Sequence, residues 1–169
     1  MTNFRPLILV FLTLATLSAG AAELIQSKSP DQFLEQLPRD AELVVVNFWA
    51  TWCIPCVAEL EDFAKLDAEI GQKIVFVGVS LDDAVPDDHA AIVGRVEKML
   101  ARKKIEYLNV LYLGNPAQLT SRWNIDEGIP QTIVITRDGE TLHTINGRID
   151  TKTLREKLTR LLAQSRPKG

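Results

Sequence analysis

The ten residues NFWATWCIPC, positions 47–56, place two cysteines three positions apart and decide the fold. The run Leu43–Trp49 is apolar or β-branched except for Asn47, which is typical of a strand covered on both faces. From Cys56 to Ile70, apolar residues recur at helical spacing with acidic residues between them, which predicts a helix. We therefore expect both cysteines at the junction of a buried strand and a helix.

Cysteines at the start of a helix have distinctive chemistry. The unpaired backbone N–H groups and the helix dipole favour negative charge there, so the pKa of the Cys53 thiol is expected below that of a free cysteine. Cys56 follows one helical turn later, close enough to attack a mixed disulfide formed at Cys53. Pro55 lies in the first turn, where no backbone donor is needed. The pattern predicts a redox-active disulfide, with Cys53 as the exposed nucleophile and Cys56 as the resolving thiol.

The cysteine pair fits a structural, a metal-binding or an inert role less well. A structural disulfide would close a loop of about four residues and contribute only ~2 kcal/mol in the chain-entropy model. A zinc site would need two further ligands, and the two histidines, His89 and His143, do not have metal-ligand spacing. Inert buried thiols would suit a cytosolic core better than an exported one. We expect neither metal nor cofactor, because the dithiol itself performs redox chemistry.

The length and composition fit a single globular domain. The chain has 169 residues, of which 46% are hydrophobic and 24% are charged, enough to bury an ordinary core. The formal net charge is −3, and the sequence offers no basic face for a phosphate backbone. Nucleic acid is therefore not expected as a partner.

The first segment of the chain resembles an export signal. Arg5 is the only charged residue among the first 22, and the apolar run Leu7–Leu17 is followed by small residues. This segment is shorter than the roughly 20 residues of a membrane-spanning helix. We predict that residues 1–21 are a signal peptide cleaved after Ala21 or Ala22, and that the protein is periplasmic. An uncleaved membrane anchor is the alternative.

Residues 22–169 are expected to form one α/β domain. We predict no strand at residues 23–26. Asp138-Gly139 between two β-like runs predicts a hairpin, and a helix-bearing insertion is expected after Ser80. Apolar patterning and capping residues predict strands at 43–49, 73–81, 109–113, 131–136 and 141–146. They predict helices from Ser29 to near Pro38, at 56–70 (stopped by Gly71), from the Asp87-Asp88 pair in the first turn to about Lys104, at 116–123 and at 151–162. The order implies a central mixed β-sheet with helices on both faces, parallel at first and antiparallel at one edge.

The segment from Phe48 to Cys56 resembles the active site of the thioredoxin superfamily, and the rest of the chain resembles the TlpA/ResA-like thiol-disulfide oxidoreductases of the bacterial envelope. The resemblance covers about residues 24–162 and implies a thioredoxin-like fold. Thioredoxin has aspartate where this chain has Asn47. TlpA-like proteins often have asparagine there and a glutamate one helical turn after the second cysteine, here Glu59. The resemblance implies that Glu59 is a catalytic acid–base near the Cys56 sulfur.

The resemblance also marks a substrate groove opposite the cysteines. The segment Gly128–Thr132 matches the position of the cis proline of thioredoxin-fold proteins, which implies a cis bond before Pro130. The preceding residue, Ile129, would then offer its backbone to an extended substrate. Trp52 is implied to cover the dithiol. Trp52, Ile129 and Pro130 are therefore the expected substrate-binding residues.

The function implied by the resemblance is reduction of disulfides in exported proteins. The dipeptide between the cysteines lacks the histidine of strongly oxidising members, which favours a reductant or a mildly poised exchanger. Expected partners are thiol- or disulfide-containing envelope proteins and a membrane electron donor, with cytochrome c or other metalloprotein assembly as one setting. Gln131 departs from the glutamate often found in members dedicated to cytochrome c maturation. The alternatives are an envelope thiol oxidase or isomerase, and a copper or metalloprotein assembly chaperone with cysteine ligands.

Overall fold

The computed structural model describes residues 23–70, 73–125 and 128–165, which form one six-stranded sheet with helices on both faces. The strands are β1 (Leu24–Ser27), β2 (Leu43–Trp49), β3 (Ile74–Ser80), β4 (Leu108–Tyr112), β5 (Gln131–Thr136) and β6 (Thr141–Asn146). The helices are α1 (Pro30–Leu34), α2 (Ile54–Ile70), α3 (His89–Lys103), α4 (Pro116–Trp123) and α5 (Thr151–Ser165), with a 3-10 turn at Asp82–Ala84.

The strand order of the sheet is β1-β4-β3-β2-β5-β6. The pairs among β1 to β4 are parallel, and helical crossovers connect them. Strand β5 runs antiparallel to β2, and β6 runs antiparallel to β5. The turn between β5 and β6 uses Gly139 at a φ of +84°, a conformation that glycine adopts without steric cost. The predicted α/β class with a mixed sheet, antiparallel at one edge, is confirmed.

Strand β1 is the element that the sequence did not predict. It has only four residues, and it lies at the edge of the sheet, where its pairing with β4 alone defines it. Ile25, for example, is opposite Val110, far along the chain. A short strand whose partner is distant has a weak local pattern, so its sequence does not reveal it. Strand β4 inserts between β1 and β3, and α3 precedes it, so the insertion expected after Ser80 contains a helix and a central strand.

The helix ends differ from the predictions by a few residues. The Ser29 side chain caps α1 as expected and accepts a hydrogen bond from the Gln32 backbone N–H at 3.3 Å. Helix α1 ends at Leu34, earlier than expected, because the next residues form a tighter turn in which Gln36 and Leu37 donate to the carbonyls of Phe33 and Leu34. Helix α2 begins at Ile54, which is consistent with Pro55 in its first turn. The expected stop at Gly71 lies outside the described residues.

Two apolar cores lie on opposite faces of the sheet. We call the side covered by α2, α3 and α5 the α2 face, and the side covered by α1 and α4 the α1 face. Helices contribute to the α2 face the buried residues Leu60, Phe63, Leu66, Ile92, Val96, Leu100, Leu154 and Leu158. They contribute to the α1 face Phe33, Leu34, Leu119 and Trp123. Because both faces of the central strands are covered, the end of β2 delivers its loop and helix α2 in a fixed orientation.

Across the described ranges, none of the helices combines the length and apolar character that a membrane-spanning helix requires. The predicted signal peptide, residues 1–21, lies outside the described residues.

Candidate functional site

The two cysteines lie where the sequence places them, at the start of α2, and they form a disulfide. The S–S distance is 2.05 Å. Cys53 retains 6% exposure, whereas Cys56 is fully buried. The backbone N–H of Cys56 points at the Cys53 sulfur at 3.3 Å. An N–H group aimed at this sulfur would stabilise a negative charge on it after reduction, so Cys53 is both the more accessible sulfur and the better placed thiolate.

The loop before β5 lies against the Cys53 sulfur. The Ile129–Pro130 peptide bond is cis, as the resemblance implies. The Ile129 carbonyl oxygen lies 3.8 Å from Cys53 Sγ. The Pro130 carbonyl accepts a hydrogen bond at 2.9 Å from the N–H of Gly147, which follows β6. This loop therefore brings backbone groups beside the disulfide, as an extended peptide substrate would require.

Exposed apolar side chains, which we call the apolar rim, flank the more accessible cysteine in the chain and occur again after the 3-10 turn. Trp52 is 54% exposed and Ile54 is 84% exposed, although each has a large apolar side chain. Val85, which follows the 3-10 turn at the same end of the sheet, is 49% exposed. Exposed apolar side chains beside a reactive group are typical of a docking surface for another molecule.

Glu59 is buried one helical turn after Cys56, with 1% exposure. Its Oε1 accepts a hydrogen bond from Asn47 Nδ2 at 3.0 Å, and its Oε2 accepts one from the Ile149 backbone N–H at 3.4 Å. Burial raises the pKa of the Glu59 carboxyl, and the two hydrogen bonds and the nearby Arg148 oppose that shift in part. Glu59 is thus not a solvated helix carboxylate; it is a buried acid whose pKa is raised by burial.

The asparagine on β2 connects this acid to the sheet. Asn47 is 2% exposed, and its amide also donates to Thr132 Oγ1 at 3.2 Å. Thr132 lies directly opposite Asn47 in the β2–β5 pairing, two residues after Pro130. One side chain therefore contacts both the buried acid and the strand that follows the cis proline.

Two contacts of the site have no sequence signal. The Ile149 N–H that reaches Glu59 comes from the loop before α5, and a backbone donor leaves no trace in residue type. Asp82, in the 3-10 turn after β3, is buried and accepts hydrogen bonds from Thr51, two residues before Cys53. Both contacts depend on how distant segments meet in the folded chain.

Within the described ranges, no group of three or more histidine, cysteine, aspartate or glutamate residues is arranged to hold a metal ion. His89 lies 3.9 Å from Asp83, an exposed pairing at the start of α3.

A cysteine pair at the start of a helix, beside a cis proline on a mixed sheet, defines a thiol-disulfide oxidoreductase with a thioredoxin-like fold. The Redoxin family model matches residues 25–162, and the chain belongs to that family. The chain is 29% identical over 147 residues to the thiol:disulfide interchange protein DsbE of Pseudomonas aeruginosa, covering 85% of this chain and 73% of that protein.

Two further comparisons agree with this assignment. The thiol-disulfide oxidoreductase ResA of Oceanobacillus iheyensis is 45% identical over 58 residues, which are 33% of this chain and 30% of that protein. The crystal structure of a thioredoxin-related protein from Neisseria meningitidis serogroup B matches with a TM-score of 0.61 at 25% identity, over 79% of this chain and 91% of the other. The predicted resemblance to TlpA/ResA-like members of the thioredoxin superfamily is confirmed.

Proposed function

We propose that the protein is an exported reductant that cleaves disulfides in cell-envelope proteins. The observation that carries the proposal is the order of three groups along the chain where α2 begins. Cys53, which precedes α2 and keeps 6% exposure, is followed by the fully buried Cys56 and, one turn later, by the buried acid Glu59. This order separates the group that meets the substrate from the groups that complete the reaction.

The first step of the proposed reaction is attack on the substrate disulfide. The Cys53 thiolate forms a bond to one substrate sulfur, the substrate S–S bond breaks, and the other substrate sulfur leaves as a thiolate that takes a proton. The product is a mixed disulfide between Cys53 and the substrate. The 3.3 Å approach of the Cys56 N–H to the Cys53 sulfur supports Cys53 as the attacking thiolate.

The second step releases the substrate. Cys56 loses its proton to the Glu59 carboxylate and attacks the Cys53 sulfur, so the mixed disulfide breaks and the second substrate sulfur leaves as a thiolate, which is then protonated. Two electrons have moved to the substrate, and the Cys53–Cys56 disulfide has formed. The raised pKa of Glu59 supports its role as the base, because a carboxylate with higher proton affinity takes a thiol proton more readily.

Substrate binding is assigned to the rim and the loop beside Cys53. In this proposal the Ile129 backbone pairs with an extended substrate segment, Pro130 shapes the loop and Trp52 covers the sulfur–sulfur contact. The exposure of Trp52 and the 3.8 Å distance between the Ile129 carbonyl oxygen and Cys53 Sγ support these assignments.

The setting of the reaction follows from the proposed export. The sequence of residues 1–21 supports delivery to the periplasm, where thiols are not kept reduced by a cytosolic pool. A membrane electron-donor protein would then restore the dithiol after each turnover. Assembly of cytochrome c or another metalloprotein is one process that needs reduced cysteines in that compartment, and the TlpA/ResA-like resemblance supports it.

The direction of the reaction is tested by the equilibrium reduction potential of the Cys53–Cys56 pair in glutathione or dithiothreitol buffers. We expect a value at or below about −220 mV, as for reducing members of the fold. A value above about −150 mV would make the protein an oxidant and overturn the proposal.

The substrates are tested with the Cys56→Ser variant, which cannot complete the second step. We expect it to accumulate mixed disulfides with envelope proteins, resolved on non-reducing gels, whereas Cys53→Ser should form none. Mixed disulfides that form equally in both variants would contradict the assigned roles of the cysteines.

A further inference from the structure

A second buried carboxylate is hydrogen-bonded to Thr51, two residues before Cys53, and the two proposed exchange steps do not use it. Asp82, in the 3-10 turn after β3, is 1% exposed. The Thr51 backbone N–H donates to its Oδ1 and Oδ2 at 3.2 and 3.0 Å, and the Thr51 hydroxyl also donates to Oδ1. The Ser80 hydroxyl donates to Oδ2 at 2.7 Å. All these partners supply hydrogen atoms, so the side chain acts as an acceptor-only carboxylate.

The negative charge of Asp82 has no cationic partner. No lysine, arginine or histidine forms an ion pair with it in the part of the chain that the structure describes. A buried charge that is held only by neutral donors is costly in free energy compared with an apolar or neutral residue of similar size. A neutral residue at position 82 would therefore make the folded state more stable, and we infer that the charge is retained for a function.

The Asp82 side chain is attached to the turn that delivers the nucleophile. Thr51 stands two residues before Cys53, and the Cys53 N–H donates to the Ala50 carbonyl at 3.1 Å, closing the turn. On the other side, the Leu81 N–H donates to the Trp49 carbonyl at 2.8 Å. The segment after β3 therefore holds the residues before Cys53 at two points, one of them through the carboxylate.

We propose that Asp82 is a positioning residue for thiol-disulfide exchange: it fixes the turn that carries Cys53, and its negative charge opposes formation of the Cys53 thiolate. The inference rests on the exchange chemistry of the fold and not on the proposed direction of electron flow. An opposing charge makes the dithiol a weaker acid and favours the disulfide over the thiolate, which makes the reduced protein a stronger reductant.

The effect should depend on pH, because Asp82 repels only a charged sulfur. Below the pKa of the Cys53 thiol the reduced sulfur is neutral, and the carboxylate has little influence on the reduction potential. Above that pKa the thiolate and the carboxylate repel each other. A purely structural role of Asp82 would instead shift the potential by a similar amount at every pH.

Few other charged groups face this pair. Thr51 and Ser80, which contact Asp82, are neutral, and Asp83 in the same turn pairs with His89 of α3. Cys53 faces the neutral Ile129 carbonyl and the Cys56 N–H. Glu59 lies one turn below Cys56 on α2 and is held by Asn47. Its contribution is present in the parent protein and in an Asp82 variant alike.

The test compares Asp82→Asn with the matched control Asp83→Asn, which removes the same charge from the neighbouring, partly exposed residue. The Cys53 pKa is measured from the pH dependence of alkylation of the reduced protein by iodoacetamide, and the reduction potential is measured at pH 6 and pH 9. We expect Asp82→Asn to increase thiol acidity threefold to tenfold. We also expect a potential that is unchanged at the lower pH but about 15–30 mV less negative at the higher pH. Asp83→Asn should change neither quantity appreciably.

A second variant keeps the proposal testable if Asp82→Asn fails to fold. Thr51→Val keeps the shape of the side chain but removes one hydrogen bond to the carboxylate, leaving its charge less neutralised. It should shift thiol acidity in the opposite direction, downward by about twofold to threefold. Unchanged acidity in Asp82→Asn, an equal shift of potential at both pH values, or increased acidity in Thr51→Val would overturn the proposal. The potential of the unmodified protein decides the proposed direction separately, since only differences between variants bear on Asp82.

Discussion

The two faces of the sheet bury side chains of different polarity. On the α1 face the central strands present almost uniformly aliphatic and aromatic side chains, namely Val44, Val46, Phe48, Val77, Val79, Val110, Ile133 and Ile135. On the α2 face one row across the sheet is polar or lacks a side chain. Its members lie opposite one another in register: Thr132, Asn47, Gly78 and Asn109. The same four strands therefore bury an apolar surface on one side and a polar row on the other.

Several buried polar atoms in and near the polar row lack hydrogen-bond partners. Among the residues described, five buried side-chain atoms have no hydrogen-bond partner: Asn47 Oδ1, Trp49 Nε1, the Tyr107 hydroxyl, Asn109 Oδ1 and Gln131 Oε1. Four of them lie on the α2 face, where Glu59 is also buried, whereas Gln131 is paired with Phe48 of the α1 face. Buried polar groups without partners cost free energy and are concentrated at functional sites. The comparison indicates that the α1 face is almost wholly apolar, whereas the α2 face combines a large apolar core with buried polar groups near the cysteines.

The largest expected effect is the loss of stability caused by Phe33→Ala, which tests how the α1 face differs from the α2 face. Phe33 of α1 is fully buried, and its ring lies 5.7 Å from that of Trp123. Removing the ring should lower the free energy of unfolding by about 3–5 kcal/mol, through lost burial and the cavity left behind. Urea unfolding of the oxidised protein measures the change. The reduction potential of the cysteine pair should stay within error of the parent value, and a large shift in potential would contradict this difference between the faces.

The second effect concerns the rate of exchange. Glu59→Gln keeps the shape of the buried side chain but removes the proton acceptor proposed for Cys56. The single-turnover reduction of a fluorescent glutathione disulfide should slow by about a hundredfold at pH 7. In the parent protein the rate should fall as pH drops through the raised pKa of Glu59, and this dependence should be absent in the variant.

The matched control for that experiment is Glu61→Gln on the same helix. Glu61 is exposed and forms an ion pair with Lys103 at 2.8 Å, which lowers the pKa of its carboxyl. Its replacement should leave the exchange rate and its pH profile unchanged. If both variants slowed equally, the effect would reflect the charge of the helix and not a proton acceptor at residue 59.

A smaller effect is expected from adding a methyl group at Gly78, the position in the polar row that has no side chain. A Cβ on Gly78 would lie 2.2 Å from Asn109 Oδ1 and 3.0 Å from Trp49 Nε1. Gly78→Ala should therefore destabilise the protein by about 1–3 kcal/mol, because a buried side chain must move. Gly94→Ala is the control: Gly94 is exposed within α3 with no atom near the added methyl group, and its replacement should stabilise the protein by about 1 kcal/mol. Equal effects in urea unfolding would show that Gly78 is not constrained by packing.

The sequence predicted those parts of the molecule that local patterns define. Continuous apolar residues marked β2, and the cysteine spacing marked the start of α2. The resemblance added the cis bond before Pro130 and the candidate acid Glu59, whose roles remain proposals. Contacts made only by folding were not predictable. The Ile149 N–H reaches Glu59 from 90 positions away, and Thr51 and Asp82 are 31 apart. In the sequence, nothing distinguishes the buried Asp82 from Asp83, Asp87 and Asp88, which follow it and are not buried.

The smallest effect is the pH dependence of stability that Glu59 should confer on the α2 face. Burial raises its pKa above the ordinary value of 4.5, so the folded protein binds this proton more tightly than the unfolded chain does. The stabilisation from the protonated carboxyl is complete below pH 4.5 and is lost as pH rises through the folded-state pKa. Glu59→Gln mimics the protonated form, so the stability of the variant relative to the parent should be greater at pH 7.5 than at pH 4. Urea unfolding of both oxidised proteins at the two pH values measures this difference.

Burial also raises the pKa of Asp67, which is present in both proteins. The informative quantity is therefore the difference in stability between the two proteins, in which the contribution of Asp67 cancels. A relative gain at pH 4 instead would mean that the hydrogen bond from Asn47 and the charge of Arg148 outweigh burial at Glu59, and that its carboxylate is too weak a base for the role proposed.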